Sequence, residues 1–268
     1  MTASVDFQSY NFTARRYFEI LWVLVQRDLK VRYRGSILGV LWSLLKPLTM
    51  TLLYTAVLGT TLADLYDNSI WKYALSAFVG LATFEFFSDS TMQAMASIVT
   101  RGQLLNKIRL PASVFPAAAI TNNVAQFCLA TFPLLAIIAV LSSGQITPLL
   151  ALLVPLSALV FMSLGVGYIM STMYVFFRDI PYFYGIFVYA LRIATPVFYD
   201  IRIVPEHLRP LIEINPLSQI IQSVRQIVLS GETLELEMLY GAFLGSLVVC
   251  VLGRFIFIRM RPHFMDLL

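Results

Sequence analysis

Residues 110–177 read LPASVFPAAAITNNVAQFCLATFPLLAIIAVLSSGQITPLLALLVPLSALVFMSLGVGYIMSTMYVFF, without one Asp, Glu, Lys, Arg or His. A helix rises 1.5 Å per residue and crosses a bilayer in about 20 residues. The run is more than three times that long, so it is not a single span. The polar break Ser142-Ser143-Gly144-Gln145 splits it into a hairpin of two crossings. The whole chain agrees with this reading. It is 59% hydrophobic and 13% charged, whereas soluble domains carry roughly 25% charged residues. So little charge cannot cover a water-soluble surface, and the solvent it implies is lipid.

Upstream of the hairpin, residues 100–111 (TRGQLLNKIRLP) form a basic connector. Before it, a span covers about 73–99 and carries Glu85 and Asp89, four apart and so on one face. An earlier span runs from about 37 to 62. Lys46-Pro47 interrupts it, and Lys46 has the reach to snorkel to headgroups. Asp64, Asp67 and Asn68 mark a short loop, after which Trp71 and Tyr73 suit the opposite interface. Residues 15–34 are amphipathic, with Phe18, Leu21, Trp22, Val25, Leu29 and Tyr33 at helical spacing and basic residues opposite. That pattern predicts a helix in the membrane interface, capped by Asn11 or Thr13, or an ordinary juxtamembrane anchor. No cleavable signal peptide is expected, because the first apolar segment is broken by Arg27, Asp28 and Lys30.

Downstream, Arg178-Asp179-Ile180-Pro181 makes a tight turn into a fifth span at about 182–199. Residues 200–231 mix charge with apolar residues and contain Pro205, Pro210 and Pro216. Asn215-Pro216 is a helix start and Gly231 a stop, so two short re-entrant helices are expected within about 204–231. A last span covers about 236–258. The predicted fold is an all-α polytopic membrane protein. It has six transmembrane helices, an N-terminal amphipathic interface helix and two short re-entrant helices before the last span. Residues 1–36 form a cytoplasmic N-terminus, 37–258 the membrane domain and 259–268 a cytoplasmic tail.

Charge placement gives orientation. Arg15, Arg16, Arg27, Lys30, Arg32, Arg34, Lys46, Arg101, Lys107, Arg109, Arg178, Arg254, Arg259 and Arg261 fall on one side. Lys72, Arg202, Arg209 and Arg225 fall on the other, with Arg192 near the end of a span. The crowded side is cytoplasmic by the positive-inside rule, which places both termini inside. The net charge of +4 follows from this topology, and nucleic acid is not expected as a partner. Cys128 and Cys250 form no CxxC pair. There is no GxxxxGK[ST] loop, HExxH, GxSxG or Cys/His cluster. His207 and His263 read as surface residues, and no metal site is expected. Gly35/Gly39 and Gly241/Gly245 are each four apart, a spacing that lets helices approach closely.

The most specific string is QRDLKVRYRGSILGVLWSLLKP at 26–47. With Phe86-Phe87, the connector 106–111, Phe177-Arg178-Asp179-Ile180, Thr195-Pro196-Val197-x-Tyr199 and Asn215-Pro216-Leu217, it resembles the membrane subunit of type-2 ABC exporters of polysaccharides. These are the O-antigen, capsule and teichoic-acid exporters, and the resemblance covers essentially the whole chain. It implies a homodimer with two copies of an ABC ATPase, which would hold ATP and Mg, so this chain needs no cofactor. It implies a polysaccharide on undecaprenyl pyrophosphate as substrate, most of all an O-antigen. The location would be the bacterial inner membrane. The N-terminal helix and the connector, with Arg101, Asn106, Lys107 and Arg109, look like the parts that receive ATPase motion. The helices within 204–231 look like external gate helices.

Residue chemistry can be set beside this. A pyrophosphate headgroup calls for cationic donors at the cytoplasmic interface, and Arg27, Lys30, Arg32, Arg34 and Lys46 are the candidates. The plain alternative is that they obey positive-inside and bind anionic lipid. Sugars offer C–H faces to flat rings, so Phe84, Phe86, Phe87, Tyr174, Phe177, Tyr182 and Tyr184 are conduit candidates. The alternative for these is lipid-facing packing or the interfacial belt. Glu85 and Asp89 are costly against lipid. They fit a conduit, with Arg192 as a partner, or an interface. Three other functions stay open at this level: a type-2 exporter of small amphiphiles, a membrane-embedded glycosyl- or acyltransferase, and a passive channel.

Overall fold

A computed structural model describes residues 14–102, 110–230 and 236–264, without the side chains of 236–238. Asn106, Lys107 and Arg109 of the connector lie outside the described residues, as do the expected caps Asn11 and Thr13 and the expected stop Gly231. Every regular element among the described residues is helical. They are α1 (Ala14–Tyr33), α2 (Trp42–Leu62), α3 (Ile70–Ala96), α4 (Val114–Gln126), α5 (Phe132–Ser143), α6 (Thr147–Phe176), α7 (Ile180–Ala194), α8 (Arg209–Glu213), α9 (Pro216–Ser230) and α10 (Leu236–Met260). Short 3-10 turns flank several of them, and a π-turn at Phe127–Thr131 joins α4 to α5.

Among the described residues, four segments are long and apolar enough to cross a membrane: Gly39–Tyr66, Val114–Ser143, Thr147–Phe176 and Leu239–His263. Two of the six expected spans fall short, each for its own reason. Helix α3 has 27 residues, ample length, but carries Lys72, Glu85 and Asp89. Helix α7 is apolar but has only 15 residues. It stops at Ala194 because Thr195 precedes Pro196, and a residue before proline is driven out of the helical region. Thr195 is indeed extended, at φ −102° and ψ 140°.

Local chemistry sets most other boundaries. Gly144, at φ +66°, turns the chain between α5 and α6. Asn215 Oδ1 accepts from Leu217 N at 3.0 Å and so caps α9. The π-turn has a cause two residues on. Pro133 has no N–H to offer Leu129, and its ring crowds the carbonyl of that residue, so the ladder widens there.

Helix α3 is the buried spine. Tyr73, Val79, Leu81, Phe84 and Ala94 are wholly or almost wholly enclosed, and α2, α4, α6, α7 and α9 all pack on it. Helix α1 covers one end. Its Leu21, Leu24, Val25 and Leu29 join a cluster with Phe115, Tyr168, Phe257 and Phe264. Phe18 and Trp22, which the sequence pattern put on the same apolar face, point outward instead.

The glycines behave differently from the spacing argument. Gly35 and Gly39 both have positive φ, with nothing near a Cβ built on them. They bend the chain between α1 and α2. Gly241 and Gly245 face Gln219 and Pro216 of α9. The close helix seam lies elsewhere, between α6 and α10. A Cβ on Gly165 would overlap the Val249 carbonyl, and one on Gly253 would overlap the carbonyl of Gly165.

Gly165→Ala is therefore expected to destabilise the bundle by about 1–3 kcal/mol, the usual cost of overpacking, despite alanine's better helix propensity. Gly185→Ala in α7, where the added methyl meets nothing within 4 Å, should be neutral or stabilising by up to about 1 kcal/mol. Thermal unfolding of both variants in detergent checks the contrast.

Candidate functional site

The middle of α3 holds the most unusual chemistry in the fold. Glu85 is 4% exposed. Arg192 Nη2 donates to its Oε1, and Lys46 Nζ lies against its Oε2. Lys46 also reaches Asp89 Oδ1, one turn further along α3, at 3.2 Å. The Arg192 guanidinium stands 5.2 Å from the centre of the Phe84 ring, a cation–π distance. Two carboxylates and two cations from three helices thus form a neutral cluster. A lone carboxylate in this setting would carry a large desolvation cost. The last turn of α7 supplies Arg192, where the helix dipole also favours a cation. The first turns of α2 supply Lys46.

A small cavity of about 40 Å³ lies beside the cluster, between α2, α3 and the π-turn. Ser43, Pro47, Glu85, Asp89, Asn123, Gln126, Phe127 and Thr131 are among the residues around it. Gln126 Nε2 is buried and has no hydrogen-bond partner among the described residues. The space is polar and large enough for a water molecule.

A second polar network joins α1 to the bundle at the other end of α3. Arg101 donates to Asp28 Oδ2, which Asn122 Nδ2 also approaches at 3.4 Å. Arg101 stands 5.8 Å from the centre of the Phe115 ring. Arg32 Nη1 donates to Gln93 Oε1 at 3.1 Å, and Gln93 Nε2 donates to Asn123 Oδ1 at 3.3 Å. Of the expected coupling residues, Arg101 is thus tied directly to α1.

The expected headgroup cations separate into two groups. Lys46 is paired with Glu85 and Asp89 rather than extended to the interface. Arg27 reaches Asp28 at 3.3 Å, and Arg32 is held by Gln93. Lys30 and Arg34 are exposed. At the same end of α1, burial pushes the Tyr33 hydroxyl above its ordinary value, against the lowering pull of Arg32.

The aromatic candidates separate as well. Phe84, Phe86 and Phe87 are buried inside the single chain. Phe86 meets the Phe127 ring edge-on at 5.2 Å. Tyr184 is buried too, with its hydroxyl 2.6 Å from Thr91 Oγ1. Tyr174 is half-buried against the core. Phe177 and Tyr182 are exposed. Tyr182 opens an outward row on α7 that continues through Phe183, Ile186, Phe187, Tyr189 and Ile193. The sequence argument missed Asp28, Gln93, Asn122, Asn123 and Gln126. The signal was there for the last three, because they are the amides of a charge-free run and each must find a partner away from lipid.

Comparison with known proteins adds to this geometry. Residues 19–229 match the family described as ABC-2 type transporter. The O-antigen export system permease protein RfbA of Klebsiella pneumoniae is 30% identical over 255 residues, 94% of this chain and 95% of that protein. The protein of the same name from Myxococcus xanthus is also 30% identical, over 94% of this chain and 96% of its own. The polysialic acid transport protein KpsM of Escherichia coli is 25% identical over 90% of this chain and 94% of its own.

The charge cluster makes a sharp expectation about stability. Glu85→Ala leaves Lys46 with Asp89 alone and strips Arg192 of its carboxylate, and should cost about 3–5 kcal/mol. Removing Arg192 as well, in Glu85→Gln with Arg192→Met, should recover most of that loss, because no charge is then stranded on α7. Thermal unfolding of the single and double variants measures both. Equal losses in the two would count against the cluster.

Proposed function

The chain belongs to the ABC-2 type transporter family, and from that premise we propose that it is the permease of an ATP-driven exporter of lipid-linked polysaccharide, an O-antigen first of all. The observation that carries this reading is the full-length match to two proteins named as O-antigen export permeases. The relatives are transport subunits rather than enzymes, which sets the glycosyl- and acyltransferase reading aside. A capsule polymer is the second reading, favoured by the more distant match to a polysialic acid transport protein.

The mechanism follows from the placement of charge and rings. Six crossings are assigned to α2, α3, α4 with α5, α6, α7 and α10, with both termini in the cytoplasm. Helix α7 spans about 22 Å by itself, and the extended segment after Ala194 carries the chain on. Helix α9 runs beside the first half of α10, with Gln219 at Gly241 and Pro216 at Gly245. This supports a re-entrant course for α8 and α9 at the external gate. A second copy of the chain would face the outward rings of α7. Tyr182 and Phe177 would then border a conduit whose wall also holds Asp89 and Arg192. Flat rings let a glycan slide, because they contact many sugar faces without fixing one register.

Undecaprenyl pyrophosphate would approach from the cytoplasmic interface. Lys30, Arg32 and Arg34 are best placed for it, since Lys46 is held by two carboxylates. Two ABC ATPase subunits would dock below, and their motion would enter through the connector. The Asp28–Arg101 pair ties that connector to α1, so that the two move as one body.

The test is co-purification of the tagged chain with the ABC ATPase of its own host, followed by ATP hydrolysis with and without undecaprenyl-pyrophosphate-linked glycan. A stable complex whose hydrolysis changes with the glycan is expected. No ATPase partner, or a complex that answers only to small amphiphiles, would overturn the reading.

A further inference from the structure

Helix α9 has two faces that do different things. Leu217, Ile220, Ile221, Val224, Ile227 and Val228 are wholly enclosed and fix the helix against α3, α5, α6 and α10. The other face carries Gln222, Gln226 and Ser230, each four residues apart and so in one row. Asp200 and Leu229 complete a concavity of about 250 Å³ with them. That is room for far more than one water, on the scale of one sugar ring rather than a chain.

The opposite wall is held in place by Arg225, which also borders the concavity. It donates to the carbonyls of Pro196 at 2.9 Å, Val197 at 2.8 Å and Tyr199 at 3.3 Å. Gly80 lets this segment lie directly on α3, since any Cβ there would overlap the Val197 carbonyl. The site is therefore built before anything enters it.

Its donors and acceptors restrict the occupant. Asp200 accepts from Arg202 N and Nε at 2.9 Å on Oδ1, and from Nη2 at 2.9 Å on Oδ2. A carboxylate has about four acceptor positions, so one remains. Arg202 already balances its charge, which makes it a poor cation ligand, and the described residues contain no cluster of three metal-binding side chains. A phosphate finds no dedicated donor here, because Arg202 is paired with Asp200 and Arg225 is turned to the carbonyls of Pro196, Val197 and Tyr199. The side-chain amides of Gln222 and Gln226 have no hydrogen bond among the described residues and offer both donors and acceptors. The Ser230 hydroxyl donates to the Gln226 carbonyl at 2.6 Å and keeps acceptor capacity. A lipid tail would leave all of these groups unsatisfied.

We propose that this concavity binds one neutral sugar unit of the exported glycan, through its vicinal hydroxyls, on the non-cytoplasmic side of the membrane. The proposal rests on the polysaccharide reading and orientation given above. A vicinal diol both donates and accepts at each oxygen, which matches two amides, one hydroxyl and one charge-balanced carboxylate. Ile201 and Leu229 add apolar surface for the C–H face of a sugar beside these polar groups, and the lining contains no ring, so it suits brief capture of a unit leaving the conduit.

The test uses the full-length chain with its ATPase, in its own host during glycan synthesis. A photoreactive benzophenone side chain is placed at Leu229, at Tyr182 on the proposed conduit, or at Leu252 on the outside of α10. After irradiation the purified chain is stained for carbohydrate. The proposal expects light-dependent glycan adducts at 229 and 182 and none at 252. It also expects Gln222→Ala with Gln226→Ala to abolish the adduct at 229 while the adduct at 182 persists, which reports that the doubly substituted chain still folds and transports. An adduct at 182 but not at 229, or one at 229 that survives the double substitution, would overturn the sugar site and leave the exporter reading standing. Staining at 252 equal to that at 229 would overturn the site as non-specific. Adducts at none of the three would overturn the polysaccharide reading and the site together.

Discussion

A carboxylate enclosed in a membrane bundle must be matched by positive charge, and Glu85 is matched from two sides. Lys46 comes from α2 and Arg192 from α7, so one side chain of the spine helix sets where its two neighbours lie. Helix α7 depends on this most. Its outward row of large apolar side chains has no cover among the described residues. On its inner side, the Arg192–Glu85 pair and the Tyr184–Thr91 hydrogen bond hold it to α3. Such a helix is anchored by a few directional contacts rather than by broad packing. That suits the place proposed for α7, beside a path and against a second copy of the chain.

The rest of the bundle divides into a rigid part and a responsive part. Helices α6 and α10 meet backbone to backbone at Gly165 and Gly253, and α9 is sealed against them by a wholly enclosed apolar face. Close packing of this kind transmits force without yielding. At the end of the bundle that α1 covers, polar contacts replace it. Asp28, Arg101 and Asn122 on one side, and Arg32, Gln93 and Asn123 on the other, link α1 to the ends of α3 and α4. Hydrogen-bonded pairs can exchange partners where interdigitated side chains cannot, which fits the proposed entry of ATPase motion at this end.

Much of this was legible in the sequence. The charge-free run at 110–177 announced the membrane hairpin, Gly144 its turn, and Asn215-Pro216 the start of α9. Glu85, Asp89 and Arg192 stood out because ionised groups in apolar segments need partners. What the sequence could not supply was rotation. A period of 3.6 places Phe18 and Trp22 beside Leu21 and Val25, but packing on α4 takes the Leu21 and Leu24 side and leaves the rings outside. Phe84, Phe86 and Phe87 look like neighbours in the string, yet only Phe84 and Phe87 stay together, at 6.4 Å between rings, while Phe86 turns to Phe127. Lys46 could reach either the headgroups or a buried acid, and only the placement of α3 decided between them. The Gly165–Gly253 seam had no local spacing to reveal it, because its two halves lie on different helices.

The central claim is that this chain carries lipid-linked glycan across a bilayer when an ATPase drives it. The most direct measurement reconstitutes the chain and its ATPase in liposomes with undecaprenyl-pyrophosphate-linked glycan in the leaflet on the ATPase side. A glycosidase on the opposite side reports arrival. The account predicts that glycan becomes cleavable there only when ATP is supplied on the ATPase side. Cleavage that proceeds equally without ATP, or no cleavage from an assembled complex that hydrolyses ATP, would contradict it.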